Sequence, residues 1–207
     1  MTIARTTRPR AWLALILITA LALPQAASAA LSLSEISGYL NSFTTAKAGF
    51  RQINADGSVS TGTLYLQRPG RARFDYDPPD NGVVIAGGGQ VAIFDPVSNQ
   101  PPEQYPLART PLKIILARRI ELSRERMVVG MDSSEDTTTV IAQDPERPEQ
   151  GRIRLIFSEN PVALQGWVII NEAGQPTRVG LGELQTGMRL PSSLFNIVIE
   201  TRKRRDR

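Results

Sequence analysis

The stretch Gly62 to Pro79, GTLYLQRPGRARFDYDPP, limits what this chain can fold into more than any other. From Thr63 to Arg68 the side chains alternate. Leu64, Leu66 and Arg68 share one side of an extended strand, and Thr63, Tyr65 and Gln67 share the other. Pro69-Gly70 turns the chain, with proline presetting φ and glycine supplying a positive φ. The alternation then resumes. Ala72, Phe74 and Tyr76 lie on one side, and Arg71, Arg73 and Asp75 on the other. The expected unit is a β-hairpin with one apolar face. Arg68 is its oddity, because it has the parity of two leucines. A guanidinium aimed at an apolar face needs acceptors, since an unpaired buried charge is costly. Alternatively, Arg68 sits at the strand end and its head reaches water.

The strand pattern extends in both directions. Ala48 to Ile53 precedes an Asp56-Gly57 turn into the hairpin. Gly82 to Ala86 and Gln90 to Phe94 flank the triple glycine at 87–89, and strands are expected over Thr137 to Ala142, Arg152 to Phe157, Gln165 to Asn171, Thr177 to Leu184 and Leu194 to Glu200. The connections carry Asp144-Pro145, Asn160-Pro161 and Ala173-Gly174. Two short amphipathic helices interrupt this pattern. Leu33 to Phe43 places Ile36, Tyr39, Leu40 and Phe43 on one stripe with Ser34 as cap, and Thr110-Pro111 opens a second with Leu112, Ile115 and Leu116 on one face. The region from Ala117 to Val129 reads equally as helix or strand. Many short strands with two brief helices predict one curved antiparallel sheet or open barrel, its apolar face covered by the helices.

The first 29 residues read as a secretory signal peptide. Arg5, Arg8 and Arg10 precede an apolar run from Ala11 to Leu23, too short to span a bilayer, and Ala27-Ser28-Ala29 supplies the cleavage signal. Cutting between Ala29 and Ala30 leaves 178 residues, enough for one domain over 30–201 and a basic tail over 202–207. The expected product is soluble and exported, with no cysteine to carry a lipid or a disulfide. Between residues 30 and 200 there are 16 basic and 19 acidic side chains, a net of −3, which argues against nucleic acid as a partner. The tail is expected to be solvated and dispensable for folding, because Arg202 to Arg207 has no apolar periodicity to bury; a role at a membrane surface is the alternative, since such basic clusters attract anionic lipid.

The chain has no histidine and no cysteine, which removes Ser-His and Cys-His nucleophiles and nearly all zinc, copper and haem sites. The triple glycine lacks the lysine and hydroxyl of a phosphate loop and precedes a strand, so it reads as a hairpin turn. Asp132, Glu135 and Asp136 lack calcium-loop spacing, and Asp75, Asp77 and Asp80 flank a strand end and read as exposed. No cofactor or metal is expected, and no enzymatic activity.

Taken in order, Phe50-x-Gln52, Gly62-x-Leu64-x-Leu66-x-Arg68-Pro69, Arg73-Phe74-Asp75-Tyr76 before Pro78, Gly88 with Val91 to Phe94, Asp95-Pro96 and Thr110-Pro111-Leu112 resemble the periplasmic outer-membrane lipoprotein carrier family, LolA. The resemblance implies a mainly β fold with short helices: an unclosed antiparallel half-barrel with an α-helical lid over an apolar cavity. It implies a monomeric periplasmic chaperone that takes acylated lipoproteins from an inner-membrane ABC transporter to an outer-membrane acceptor or the outer membrane itself. In that family the arginine of the Arg-Pro pair, here Arg68, bonds to the lid and holds the empty cavity shut. By strand parity the cavity residues would be Leu64, Leu66, Phe74, Tyr76, Ile153, Leu155, Phe157, Trp167 and Leu181, and the lid would carry Ile36, Leu40, Phe43, Leu112 and Ile115. Two departures are visible. Ala72 and Ala92 stand where the family often has aromatics, and the chain ends soon after Phe195, where some members carry a further loop and strand. An envelope-stress sensor or regulatory lipid-binding module on a similar half-barrel is the alternative, and such regulators usually add a partner-binding domain. A lipid hydrolase is the third, and the missing histidine speaks against it.

Overall fold

A computed structural model describes residues 30–98, 100–123, 126–134 and 136–206. The signal-peptide reading, Glu135 and Arg207 lie outside the described residues. Two antiparallel meanders make up the sheet. The first is β1 (Thr45–Ile53), β2 (Val59–Gln67), β3 (Arg71–Tyr76), β4 (Val83–Gly87), β5 (Gln90–Phe94) and β6 (Glu103–Pro106). The second is β7 (Val128–Ser134), β8 (Thr137–Gln143), β9 (Arg152–Glu159), β10 (Val162–Ile170) and β11 (Pro176–Leu181), followed by the two-residue β12 (Gln185–Thr186). β1 pairs with β11, from Phe50 opposite Leu181 to Ile53 opposite Arg178, and this joins both meanders into one 12-stranded sheet. The order runs β6-β5-β4-β3-β2-β1-β11-β10-β9-β8-β7, with β12 beside β1. β6 and β7 stand at its two ends, so the sheet is open and does not close into a barrel.

The central hairpin has the expected register. Leu64 lies opposite Phe74, and Leu66 opposite Ala72. Gly70 takes its positive φ of 72° in the turn. Gly88 and Gly89, at φ 59° and 78°, make the β4–β5 turn that the triple glycine predicts.

Local chemistry corrects the reading in three places. The first helix, α1 (Leu33–Asn41), is capped by Ser32 rather than Ser34. The Ser32 hydroxyl accepts from the Glu35 amide at 3.2 Å, and the Glu35 carboxylate accepts from the Ser32 amide at 2.8 Å, a reciprocal capping box. The second helix, α2 (Leu112–Ile115), is only four residues long, and Thr110 does not cap it. Its hydroxyl donates at 3.0 Å to the Leu107 carbonyl of the preceding 3-10 turn. Beyond α2, the described residues of the ambiguous region, 117–123 and 126–127, are irregular and its last two enter β7; it buries Ile120 and Leu122.

The third correction is the largest. Residues 194–200 form no strand. A 3-10 turn, Ser192–Phe195, leads into helix α3 (Ile197–Arg205), whose N-cap is Asn196, its side chain accepting from the Ile199 amide at 3.0 Å. The basic segment therefore belongs to a helix. The turn crosses β4 so closely that a Cβ on Gly87 would lie 2.1 Å from the Phe195 carbonyl oxygen.

The sheet buries apolar side chains on both faces. On the concave face one large cluster joins β1–β4 and β8–β11 to α1, α2 and the 120–122 segment. On the convex face a smaller cluster of Val83, Ile85, Ala92 and Phe94 lies beneath Ile197 of α3. Ala92 is therefore a convex-face residue, and only Ala72 of the two small replacements faces the concave interior.

Candidate functional site

The concave interior collects every apolar residue that parity and helical periodicity single out. Leu64, Leu66, Phe74, Ile153, Leu155, Phe157 and Trp167 are buried in it, and Tyr76 and Leu181 pack against it half-buried. From the covering side come Ile36, Leu40, Phe43 and Ile115, with Leu112 at the margin. Aromatic rings meet edge to face at one end: Phe50 is 5.6 Å from Phe74 and 5.1 Å from Tyr76, and Phe74 is 6.3 Å from Trp167. Gly62 makes room for this stack, since a Cβ there would lie 2.7 Å from the Phe50 ring and 2.1 Å from the Asp75 carbonyl oxygen. The Phe50-x-Gln52 spacing has a use here. Phe50 enters the stack, and the Gln52 side chain accepts from the Tyr76 hydroxyl at 2.9 Å. Burial raises the Tyr76 pKa, and the bond to Gln52 only partly opposes that rise.

Arg68 does not reach water; only 8% of it is exposed. Its Nη2 donates at 2.7 Å to the carbonyl of Phe43, in the link between α1 and β1, and its guanidinium lies 4.7 Å over the Phe43 ring. Its Nε is buried without a hydrogen-bond partner. Burial pushes the guanidinium pKa below its ordinary value, with Tyr39 opposing; an arginine remains cationic at neutral pH regardless. Among the described residues no carboxylate pairs with it. Two residues on, the Gly70 amide donates at 2.8 Å to the Leu116 carbonyl at the end of α2. The Arg68–Gly70 turn therefore touches the link that follows α1 and the end of α2.

Residues that the sequence did not mark tie the cover together. Asn41 clamps the backbone of Ile120, donating to its carbonyl at 2.7 Å and accepting from its amide at 3.0 Å. The Ser37 hydroxyl accepts from the Leu122 amide at 3.0 Å. The Tyr39 hydroxyl accepts at 3.1 Å from the amide of Leu164 on β10. Nothing local in the sequence signals these contacts. α1 and the 116–122 segment thus form one layer over the sheet.

Between this layer and the sheet lies a cavity bounded by Leu40, Phe43, Leu64, Leu66, Arg68, Ile115, Leu164, Trp167 and Leu181 among others. Its volume is ≈ 10 Å³, no more than a single water requires. The arrangement is a small, mostly apolar cavity with Arg68 and Lys47 among the residues that line it.

Of the carboxylates read as exposed, Asp77 and Asp80 are so. Asp75 is half-buried and accepts from Arg73 Nε at 2.7 Å. Among the described residues no group of three acidic side chains is placed to hold a metal.

The family model "Outer membrane lipoprotein carrier protein LolA" matches residues 41–198. The chain belongs to this family. An outer-membrane lipoprotein carrier protein of Methylococcus capsulatus is 28% identical over 170 residues, 78% of this chain and 81% of that protein. One of Legionella pneumophila is 30% identical over 166 residues, 75% of this chain and 80% of that protein. A crystal structure of the LolA superfamily protein NE2245 from Nitrosomonas europaea is 11% identical, covers 81% of this chain and 98% of that one, and superposes with a TM-score of 0.43. The matched LolA span begins at Asn41 and ends at Val198. It thus includes the Arg68 hairpin and stops just inside α3.

Proposed function

We infer that this LolA-family protein is a periplasmic chaperone that shields the acyl chains of lipoproteins and carries them from the inner to the outer membrane. The chain would be cut between Ala29 and Ala30 and act as a monomer. An inner-membrane ABC transporter would donate the cargo, and an outer-membrane acceptor or the outer membrane itself would take it. One observation carries the reading: the apolar interior of an open sheet is roofed by short helices held at a few polar points, with a closed chamber between them.

Energetics favour such a device. Burying one long acyl chain is worth on the order of 12 kcal/mol, at about 0.8 kcal/mol per CH₂. A lipoprotein therefore cannot cross water unshielded. The carrier must grip less tightly than the destination membrane does. The Arg68 bond to the Phe43 carbonyl is a charged-donor bond, worth about 1.5–3 kcal/mol. An incoming acyl chain can displace it, and it reforms when the chamber empties. Arg68 would thus bias the roof toward closure and help expel the cargo. The chemistry is binding and release, with no bond made or broken.

The test is mass spectrometry of the exported protein, together with release of a lipoprotein from inner-membrane vesicles and its incorporation into acceptor liposomes. A bound acylated peptide and transfer to the liposomes are expected. A protein that releases no lipoprotein and co-purifies with a regulator instead would overturn the carrier reading.

A further inference from the structure

The convex face carries a second surface, independent of the acyl chamber. α3 is seated there by its inward side. Ile197 packs on the convex cluster, and Glu200 receives Arg73 Nη1 and Nη2, each at 3.2 Å. Arg204 donates to the same carboxylate at 3.0 Å and lies 5.3 Å over the Phe94 ring. That occupies one side of the helix. The other side has no described partner. Val198 and Ile199 are 58% and 46% exposed, and Arg202, Lys203 and Arg205 are exposed beside them. Val198 and Arg202 are one turn apart, as are Ile199 and Lys203, so two aliphatic side chains stand directly ahead of two cations. Arg202 and Arg205 also border an open groove of ≈ 650 Å³ beside the helix, shared with Arg71 of β3, and no carboxylate lines it. Asp206, 3.7 Å from Arg205, is the acid at the helix end.

We propose that the outer side of α3, with this groove, docks on an anionic bilayer surface. Charge complementarity points to it. Residues 30–200 carry a net −3, whereas residues 202–207 hold five basic side chains and one acidic, so the positive charge is concentrated at one place on an otherwise acidic body. The aliphatic pair decides between lipid and an acidic protein. Val198 and Ile199 fit the headgroup–acyl boundary without a shaped partner, while the neighbouring cations take lipid phosphates. Asn196 and the Arg73–Glu200 contact fix the helix against the sheet, so the surface is presented rigidly.

The test uses the chain from Ala30 to Arg207, with vesicles of phosphatidylglycerol mixed into phosphatidylcholine and vesicles of phosphatidylcholine alone. Binding is expected to the first at low ionic strength and not to the second. It should disappear once salt shortens the screening length to about 3 Å. Each cation near the surface is worth about fivefold in affinity, so Arg71→Gln, Arg202→Gln and Arg205→Gln together should weaken binding on the order of a hundredfold. Val198→Ser with Ile199→Ser should weaken it severalfold while leaving its salt dependence. All the substituted side chains point outward, so the thermal midpoint should hold, which separates lost docking from lost folding. Failure of the unsubstituted chain to bind phosphatidylglycerol vesicles at low ionic strength overturns the proposal. So does equal binding by the triple variant. Capture by polyglutamate without capture by vesicles overturns it in favour of an acidic protein partner.

Discussion

On the concave face of the sheet, α1 and α2 lie over apolar side chains, and the cation that meets them, Arg68, reaches a neutral carbonyl and an aromatic ring. On the convex face, α3 also lies over apolar side chains, but the cation beneath it, Arg73, reaches a carboxylate, Glu200, that Arg204 clasps from the other side. The two covers differ in what opening leaves behind. Lifting the concave cover returns the Arg68 guanidinium, the Phe43 carbonyl and the neutral partners in the Gly70–Leu116, Tyr39–Leu164 and Leu31–Thr138 bonds to water, all of which water solvates well. Lifting α3 separates opposite charges whose side chains are 9% and 7% exposed. Deleting one member of the buried pair by substitution strands the other charge, which is far costlier than deleting one neutral acceptor. The concave cover is thus fastened at Arg68 by a cation and a dipole, and α3 is fastened by a cation and an anion, as the proposed carrier role, in which only the first cover opens, would require.

The largest expected effect follows from the convex side. Glu200→Gln leaves Arg73 buried without its anion there, and about 3 kcal/mol of stability should be lost, the low end of the usual range because Asp75 still accepts from Arg73. Urea unfolding measures it. Hydrogen exchange should show α3 losing protection while α1 keeps its own; equal loss in both helices would break the comparison. Acid makes the same point without mutation. Burial alone would raise the Glu200 pKa, but the bond from Arg204 and the charge of Arg73 outweigh it and hold the group below its ordinary value. A depressed folded pKa contributes stability that is complete above the unfolded value and lost as pH falls through the folded one. α3 should therefore exchange faster below the usual carboxylate range. In Glu200→Gln that acid-dependent step should be absent.

The next effect is on the concave side and is functional rather than global. Arg68→Leu removes a bond worth about 1.5–3 kcal/mol and adds apolar surface to the chamber. It also removes the unsatisfied Nε, so net stability should change by less than in Glu200→Gln. Release from inner-membrane vesicles should persist, and incorporation into acceptor liposomes should fail, because the cargo now favours the chamber over its destination. Normal release with normal incorporation would leave Arg68 without a part in closure.

What could be read beforehand divides along the same line. The concave side was legible because its signals are local. Alternation alone puts Leu64, Leu66 and Arg68 on one side of β2, and the spacing of Ile36, Leu40 and Phe43 turns them toward the sheet. The convex side was not. Ile197-Val198-Ile199 is β-branched throughout and reads as a strand. It becomes helix because Asn196 caps it and because Glu200 finds Arg73, 127 positions away in sequence. For the same reason Arg204 is not a solvated tail residue. Trimming 202–207 removes one of the two cations that hold Glu200, so folding should not be indifferent to it. The Asn41 and Ser37 clamps are equally non-local, joining residues 79 and 85 positions apart. By contrast, the cap of α1 was available. Ser32-x-x-Glu35 is the capping-box spacing, two residues ahead of Ser34.

That cap gives the smallest and most discriminating effect. α1 is fastened at both ends in different ways. Its C-terminal end is held by Asn41 and, just beyond the helix, by Arg68 on the Phe43 carbonyl. Its N-terminal end is held by the capping box and by the Leu31 amide donating at 2.9 Å to the Thr138 hydroxyl of β8. Ser32→Ala removes the box but leaves Leu31 and every contact of the chamber, so stability should fall by only about 1 kcal/mol. Exchange should quicken in the first turn of α1, around Ser34 and Glu35, and not at Tyr39 or Leu40. If the concave cover opens by releasing its Arg68 end, loading and delivery should be unchanged within error. If it opens by fraying from its capped end, Ser32→Ala should load faster, and Arg68→Leu should then add to that gain rather than dominate it. Measuring transfer in the two single variants and the double variant decides which end of the helix is the hinge.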